Sequence, residues 1–239
     1  MTEFNLTIPR DLGDITLRQY QKYLKVYDSW DKEDEQYIKV KMLQIFCELS
    51  PEDVFKIPLA SYDNIIAHII DLLNTESKLV TKFTMTGKNS EGEDTSVEFG
   101  FIPKLDDMSF GEYIDLEKYY SDWDTMHKAM AVLFRPISHK KKEYYRIDNY
   151  EGTERYGDVM LDMPLNVALG SMGFFLRLGQ KLPIYMMDYL EEVLTKEEVP
   201  PQLKQILGED GAGISRYIHS LRVMLQESMR LQRQTYISV

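Results

Sequence analysis

The sequence predicts a mainly helical α+β protein, with a helical body and a small antiparallel β-sheet built around a β-hairpin. Apolar residues recur at three- and four-residue spacing through most of the 239-residue chain. Two short segments alternate apolar and polar residues, and a polar, glycine-containing stretch separates them. With 44% hydrophobic and 28% charged residues, the chain resembles ordinary folded domains and can bury a sizeable core.

The first third of the chain is predicted to be a short strand followed by helices. Apolar and polar residues alternate over 4–8, which indicates the strand. Thr16 can cap the first helix, and Ser50 followed by Pro51 is a strong signal for the start of the third. A fourth helix is predicted over 61–73. The predicted inward-facing residues are Leu17, Tyr20, Leu24 and Tyr27 in the first helix and Tyr37, Val40, Leu43, Phe46 and Cys47 in the second.

The predicted hairpin joins strands over 79–85 and 97–102. The connecting sequence GKNSEGEDTS is polar and carries the glycines that such turns use. Because three strands are the minimum for a self-supporting sheet, we expect the N-terminal strand to be its third member.

Helices are predicted again from Ser109, which forms a capping box with Glu112. A helix over 126–133 should stop before Pro136, and the segment 137–157 is predicted to be a loop with one short extended piece. Later helices are predicted over 164–178, 184–194 and 214–236, with a glycine-rich linker over 208–213. We expect a single domain over 1–239, or a sub-division into 1–105 and 106–239.

The composition disfavours several functional classes. A formal net charge of −11 repels nucleic-acid phosphates and anionic lipids. The longest charge-free run, over 163–176, is too short to span a bilayer, so no membrane partner is expected. The lone Cys47 sits in an apolar run and is predicted to be a buried, unreactive residue.

No catalytic, metal-binding or cofactor-binding motif stands out. The four histidines lack partners at ligand spacing, and the glycines at 208, 211 and 213 have neither dinucleotide nor P-loop spacing. An EF-hand alignment of the 87–98 segment fails because Gly87 would occupy the first ligand position. We therefore expect a non-enzymatic protein without a cofactor.

A basic cluster at 139–142, followed by aromatic residues, has three interpretations. It can be a solvated loop, a docking patch for an acidic partner, or a track for single-stranded nucleic acid. The predicted last helix is similarly ambiguous, because its broad apolar stripe suits either the core or a partner's groove. The 13 methionines and 16 tyrosines suit protein interfaces, and they also suit a helical core.

Two stretches carry a family resemblance. The sequence FGEYIDLEKYYSDWDTMHKAMAVLFRPI, followed by YEGT and MPLNVALGSMGFFLRLG, resembles a group of tailed-bacteriophage proteins that includes virion-module proteins of crAss-like and marine phages. The opening IPRDLGDITLRQYQKYL resembles the start of phage tail assembly chaperones and baseplate hub assembly proteins. The resemblance covers about two-thirds of the chain and brings no catalytic residue with it.

The resemblance implies a protein that acts in tail or baseplate assembly by binding other virion proteins, as a chaperone does. The alternative is a structural component that forms a ring in the neck, tail or baseplate, in which case homo-oligomers are expected. The protein would act in the host cytoplasm during assembly or remain in the particle. The predicted partner-binding residues are Phe134, Arg135, Tyr144, Tyr145, Tyr150, Tyr156, Arg222, Arg230 and Arg233.

Overall fold

The structure, a computed structural model, describes residues 6–30, 34–88, 92–104, 108–142 and 144–175. The chain divides into two compact units, Met1–Ser171 and Met172–Val239. The alternative boundary at 105/106 falls inside the first unit, where one sheet uses strands from both sides of it. The predicted helices over 184–194 and 214–236 and the linker over 208–213 lie outside the described residues.

The first unit confirms the predicted α+β class, with helices around a four-stranded antiparallel sheet. The helices are α1 Leu17–Asp28, α2 Glu35–Phe46, α3 Pro51–Val54, α4 Leu59–Leu73, α5 Phe110–Tyr120, α6 Met126–Leu133 and α7 Gly157–Met160. A 3-10 turn over Trp123–Thr125 precedes α6, and the chain is helical again over 165–175, which we label α8. The strands are β1 Lys82–Lys88, β2 Asp94–Phe101, β3 Phe134–Lys141 and β4 Tyr144–Ile147.

Local capping explains where three of the helices begin. Thr16 and Gln19 form a capping box before α1, and Ser50 accepts a hydrogen bond from the Asp53 amide before α3. The predicted box of Ser109 and Glu112 is present before α5, where the Glu112 carboxylate accepts a hydrogen bond from the Ser109 amide (2.7 Å). Each cap satisfies backbone N–H groups that have no partner within the helix.

The sheet has the strand order β1-β2-β3-β4, and each neighbouring pair is antiparallel. The hairpin of β1 and β2 confirms the prediction, although β1 begins and ends three residues later than expected. The expectation of a third strand at the N-terminus is wrong for residues 6–8, which are not in a strand. The third strand is β3, and Phe101 of β2 lies opposite Phe134 at its start.

The segment after α6 is the largest departure from prediction. Helix α6 ends at Leu133 as predicted, but the chain then enters β3 directly, and Pro136 lies within the strand rather than in a loop. Proline has no amide hydrogen to donate, but its carbonyl still pairs and accepts from the Asp148 amide (2.9 Å). The segment over 137–157, predicted to be a loop with one short extended piece, supplies most of β3 and all of β4.

The core of the first unit lies among α1, α6, β3 and the segment from α7 into α8. Its largest fully buried side chains include Leu17, Tyr20, Met126, Met130, Leu133, Phe134, Met160 and Met163. Burying one large apolar side chain contributes about 1.5–3 kcal/mol to folding, so this set is a principal source of stability. The predicted buried face of α2 is partly wrong, because Tyr37 is exposed and its neighbour Ile38 is buried instead. Leu43, Phe46 and Cys47 are buried as predicted, so the predicted and observed buried faces agree toward the C-terminal end of α2.

Candidate protein-interaction face

Four side chains project from one face of the hairpin formed by β3 and β4. In the register of this hairpin, His139 lies opposite Arg146 and Lys141 lies opposite Tyr144. Paired residues in adjacent strands share a face, and alternate residues along a strand return to it. All four are exposed, and Tyr144 retains 84% of its accessible surface. We call His139, Lys141, Tyr144 and Arg146 the hairpin face.

The tight turn of the hairpin helps to hold this face in place. Lys142, which follows the last residue of β3, has a left-handed backbone with φ of 55°. Two-residue hairpin connections require such positive φ angles, and here the connection joins the paired residues Lys141 and Tyr144. The backbone geometry of this turn therefore helps to set the positions of both strand ends.

An open groove of about 990 Å³ borders the hairpin face. Hairpin residues line the groove together with the segment after β2, at Ile102, Pro103 and Lys104. Both Pro103 and Lys104 are exposed. The groove thus joins two chain segments that are far apart in sequence.

The floor of the groove contains a buried ion pair. The Arg135 guanidinium on β3 donates a hydrogen bond to the Glu112 carboxylate on α5, with an N–O distance of 2.5 Å, and each side chain is only 7% exposed. Burial raises the pKa of Glu112, but hydrogen bonds from Ser109 and Arg135 outweigh it and hold the pKa below its ordinary value. The pair therefore stays charged, and it links α5 to the sheet under the groove.

Among the described residues that line the groove, cations outnumber carboxylates. Within the described part of the chain, no carboxylate forms an ion pair with Lys104, Lys141 or Arg146. Two carboxylates of the described residues near the groove have cationic partners: Glu98 binds Lys140 and Glu112 binds Arg135. The groove is thus locally basic on an acidic chain.

The opposite face of the hairpin is anchored to the sheet. Tyr145 packs its ring over Gly100 of β2, so closely that a Cβ atom at that glycine would lie 2.5 Å from the ring carbon Cε2. The Tyr145 hydroxyl donates a hydrogen bond to the Phe101 carbonyl (2.7 Å), and Lys140 pairs with Glu98 (2.9 Å). These contacts fix the hairpin and leave the hairpin face exposed.

The loop after β4 is tied back to the unit by two tyrosines. The Tyr150 hydroxyl donates to the Asp115 carboxylate on α5, and its ring lies 5.5 Å from the Arg135 guanidinium. The Tyr156 hydroxyl donates to Asp148 (2.9 Å). Burial, followed by these hydrogen bonds, raises the pKa of both phenols, so both remain neutral donors at ordinary pH.

The structure brings together some of the predicted partner-binding residues and separates others. Arg135, Tyr144 and Tyr145 all line the groove, whereas Tyr150 and Tyr156 brace the loop. Phe134 lies in the core, fully buried against Phe83 and Phe101 at ring distances of 5.3 and 5.2 Å, and so offers no accessible surface. Arg222, Arg230 and Arg233 lie outside the described residues.

The groove-lining residues that are absent from the predicted partner-binding set include three cations, Lys104, Lys141 and Arg146. The sequence signal for Lys141 was the basic cluster at 139–142, for which a docking patch was one interpretation. Alternation within each strand pairs His139 with Lys141 and Tyr144 with Arg146, but only the hairpin register places the two pairs on one face, and the sequence predicts a loop here. Lys104 carries no local signal, because its proximity arises only from the pairing of β2 with β3.

Other features have no visible link to the groove. Cys47 is buried as predicted, and burial raises the pKa of its thiol to about 11. The described residues contain no group of three or more His, Cys, Asp or Glu that could hold a metal ion. Among the helices that the structure describes, none is both long and apolar enough to cross a membrane.

Comparisons of the chain with protein-family models, curated proteins and solved structures found no match in any of the three.

Proposed function

We propose that this chain is a non-enzymatic protein of a tailed bacteriophage that acts in tail or baseplate assembly by binding another virion protein, in the manner of an assembly chaperone. The phage context rests on the sequence resemblance alone. The geometry adds one supporting observation, the exposed hairpin face beside an open, basic groove. Rigid sheets that present aromatic and basic side chains suit recognition of another protein, because a preorganised surface loses little conformational freedom on binding.

The arrangement of the groove supports binding more than chemistry. Its charged floor, Arg135 and Glu112, is neutralised internally, and its tyrosines are either exposed or committed to hydrogen bonds. A catalytic constellation would need a nucleophile or a base held against an oriented partner, together with exclusion of water. The open groove instead offers surface cations and an exposed ring to a partner.

Two measurements on a phage that carries the gene test the proposal. Particles from a host that cannot suppress a nonsense mutation in the gene should lack complete tails in electron micrographs, while heads still form. Normal yields of complete particles from that host would contradict an assembly role.

Quantitative mass spectrometry then separates the chaperone from the structural alternative. A chaperone should be abundant in the infected-cell lysate and absent from purified particles. A fixed ratio to the portal or tail-tube protein in purified particles would contradict the chaperone and favour a ring component.

A further inference from the structure

We infer that the groove beside the hairpin face binds a short, extended acidic segment of the partner protein, an inference that rests on the proposed function. The relevant juxtaposition is that of Lys141 and Arg146, on one face of the hairpin, with Lys104, which lines the same groove. None of these cations forms an ion pair with a carboxylate of the described residues. A carboxylate from another protein would supply the missing partner.

The spacing of the cations matches an extended peptide. Lys141 and Arg146 are diagonal neighbours across the hairpin, because Lys141 lies opposite Tyr144, two residues before Arg146. Diagonal neighbours on one face of an antiparallel pair are about 7–8 Å apart. Alternate residues of an extended chain are separated by roughly 6.5–7 Å. Two acidic residues with a single residue between them can therefore meet both cations.

Tyr144 gives the groove a second means of recognition. Its ring is 84% exposed and lies on the same face as both cations. An exposed tyrosine offers a large apolar surface at small entropic cost, because it has few rotatable bonds. In an extended peptide, the residue between the two acids points away from the cations and cannot contact the Tyr144 ring. We therefore expect an apolar side chain on either side of the acidic pair to pack against this ring.

The overall charge favours a peptide over nucleic acid as the occupant. A nucleic-acid strand carries a negative charge at every nucleotide, so a strand longer than the groove would extend over a chain whose net charge is −11. An acidic peptide can confine its charges to the groove. Long-range repulsion is therefore weaker for the peptide, while the local ion pairs remain.

The test uses the full-length protein labelled with nitrogen-15 and a heptapeptide with the central sequence Glu-Ser-Glu. A second heptapeptide carries Gln-Ser-Gln at the same place. In an NMR titration at low salt, the acidic peptide should shift amide signals over 139–147 and bind about tenfold more tightly than the amide peptide, since only the acidic peptide forms ion pairs. Equal binding of the two peptides, no binding, or shifts confined to other surfaces would overturn the inference.

Two double variants with the same net charge distinguish binding at the groove from a general effect of the protein's charge. The double variant Lys141→Glu with Arg146→Glu should weaken binding by about tenfold or more, since two attractions become repulsions. The control, Lys22→Glu with Lys78→Glu, makes the same change in net charge at exposed positions and should stay within about twofold of the unmodified protein. Equal losses in the two double variants would overturn the inference.

Two further outcomes are informative. An eight-nucleotide oligothymidine that binds the groove more tightly than the acidic peptide would replace the peptide with nucleic acid and overturn the inference. If a virion partner co-purifies equally well with the unmodified protein and the groove double variant, this inference fails while the proposed function stands. Normal tails without the gene product would instead remove the proposed function.

Discussion

Arg135 of β3 and Glu112 of α5 form a buried ion pair that joins a helix to the sheet beneath the candidate groove. Glu112 also accepts a hydrogen bond from the backbone of Ser109, so one carboxylate both caps a helix and neutralises a buried cation. The Nε atom of Arg135 is buried and has no hydrogen-bond partner among the described residues. The pair is therefore only partly satisfied, and it positions the groove at some cost in stability.

Replacing only one member of this pair should destabilise the protein more than replacing both members with apolar residues. We expect Glu112→Gln to lower the free energy of unfolding by about 3–5 kcal/mol, because it leaves the Arg135 charge buried without a counterion. The double variant Glu112→Met with Arg135→Met should recover most of that loss, because it leaves no buried charge. Urea denaturation followed by circular dichroism measures both. A double variant no more stable than Glu112→Gln would contradict this account of the pair.

The same pair predicts how the free energy of unfolding changes as pH falls. Its hydrogen bonds hold the pKa of Glu112 below the ordinary value of 4.5, so the unfolded chain takes up this proton first as pH falls. The contribution of Glu112 to stability is thus fully present above pH 4.5 and is lost as pH falls from there through the lower, folded-state pKa. Unfolding free energies measured between pH 6 and pH 3 should fall less steeply for Glu112→Gln than for the unmodified protein. Parallel curves would show that Glu112 is not the group responsible.

Gly100 and Tyr145 should be energetically coupled. A methyl group at position 100 would collide with the Tyr145 ring, so Gly100→Ala should cost about 1–3 kcal/mol through overpacking. In a Tyr145→Ala background the ring is gone, and the same change should cost much less. A double-mutant cycle of urea unfolding gives the coupling energy. A coupling near zero would mean that the ring does not cover Gly100 in solution.

Two helical glycines should respond oppositely to alanine. A Cβ atom at Gly170 in α8 would collide with the backbone carbonyl of Lys78, which cannot rotate aside, so Gly170→Ala should be strongly destabilising. Gly111 in α5 has open space around it, and Gly111→Ala should be neutral or stabilise by up to about 1 kcal/mol. Thermal unfolding of the two variants gives the comparison. A stable Gly170→Ala protein would contradict the close approach of α8 to residue 78.

Local signals predicted the helices well and the sheet only in part. The caps at Thr16, Ser50 and Ser109 depend on neighbouring residues alone, and all three are present. Strand β3 follows α6 without a break and contains Pro136, which is a local signal for ending regular structure. Its formation depends on pairing with Phe99 and Phe101, more than thirty residues earlier. That long-range pairing cannot be inferred from local periodicity.

In the candidate site too, local signals predict some of the residues that take part, and long-range pairing decides where they lie. Tyr144 and Tyr145 are both members of the predicted partner-binding set, but their opposite orientations follow from the hairpin register. Phe134 and Arg135 are both in the predicted partner-binding set, whereas strand alternation places the phenylalanine in the core and the arginine beneath the groove. Lys104 lies near the other groove residues only because β2 pairs with β3.

The most direct test of the central claim is complementation of a phage null mutant by plasmid-borne variants. If the groove binds a virion partner, the unmodified gene and the control double variant, Lys22→Glu with Lys78→Glu, should restore plaque-forming particles to similar yields. The groove double variant, Lys141→Glu with Arg146→Glu, should accumulate as a folded protein to the same level and yet restore few or none. Full complementation by the groove variant would contradict the claim that this groove carries the function.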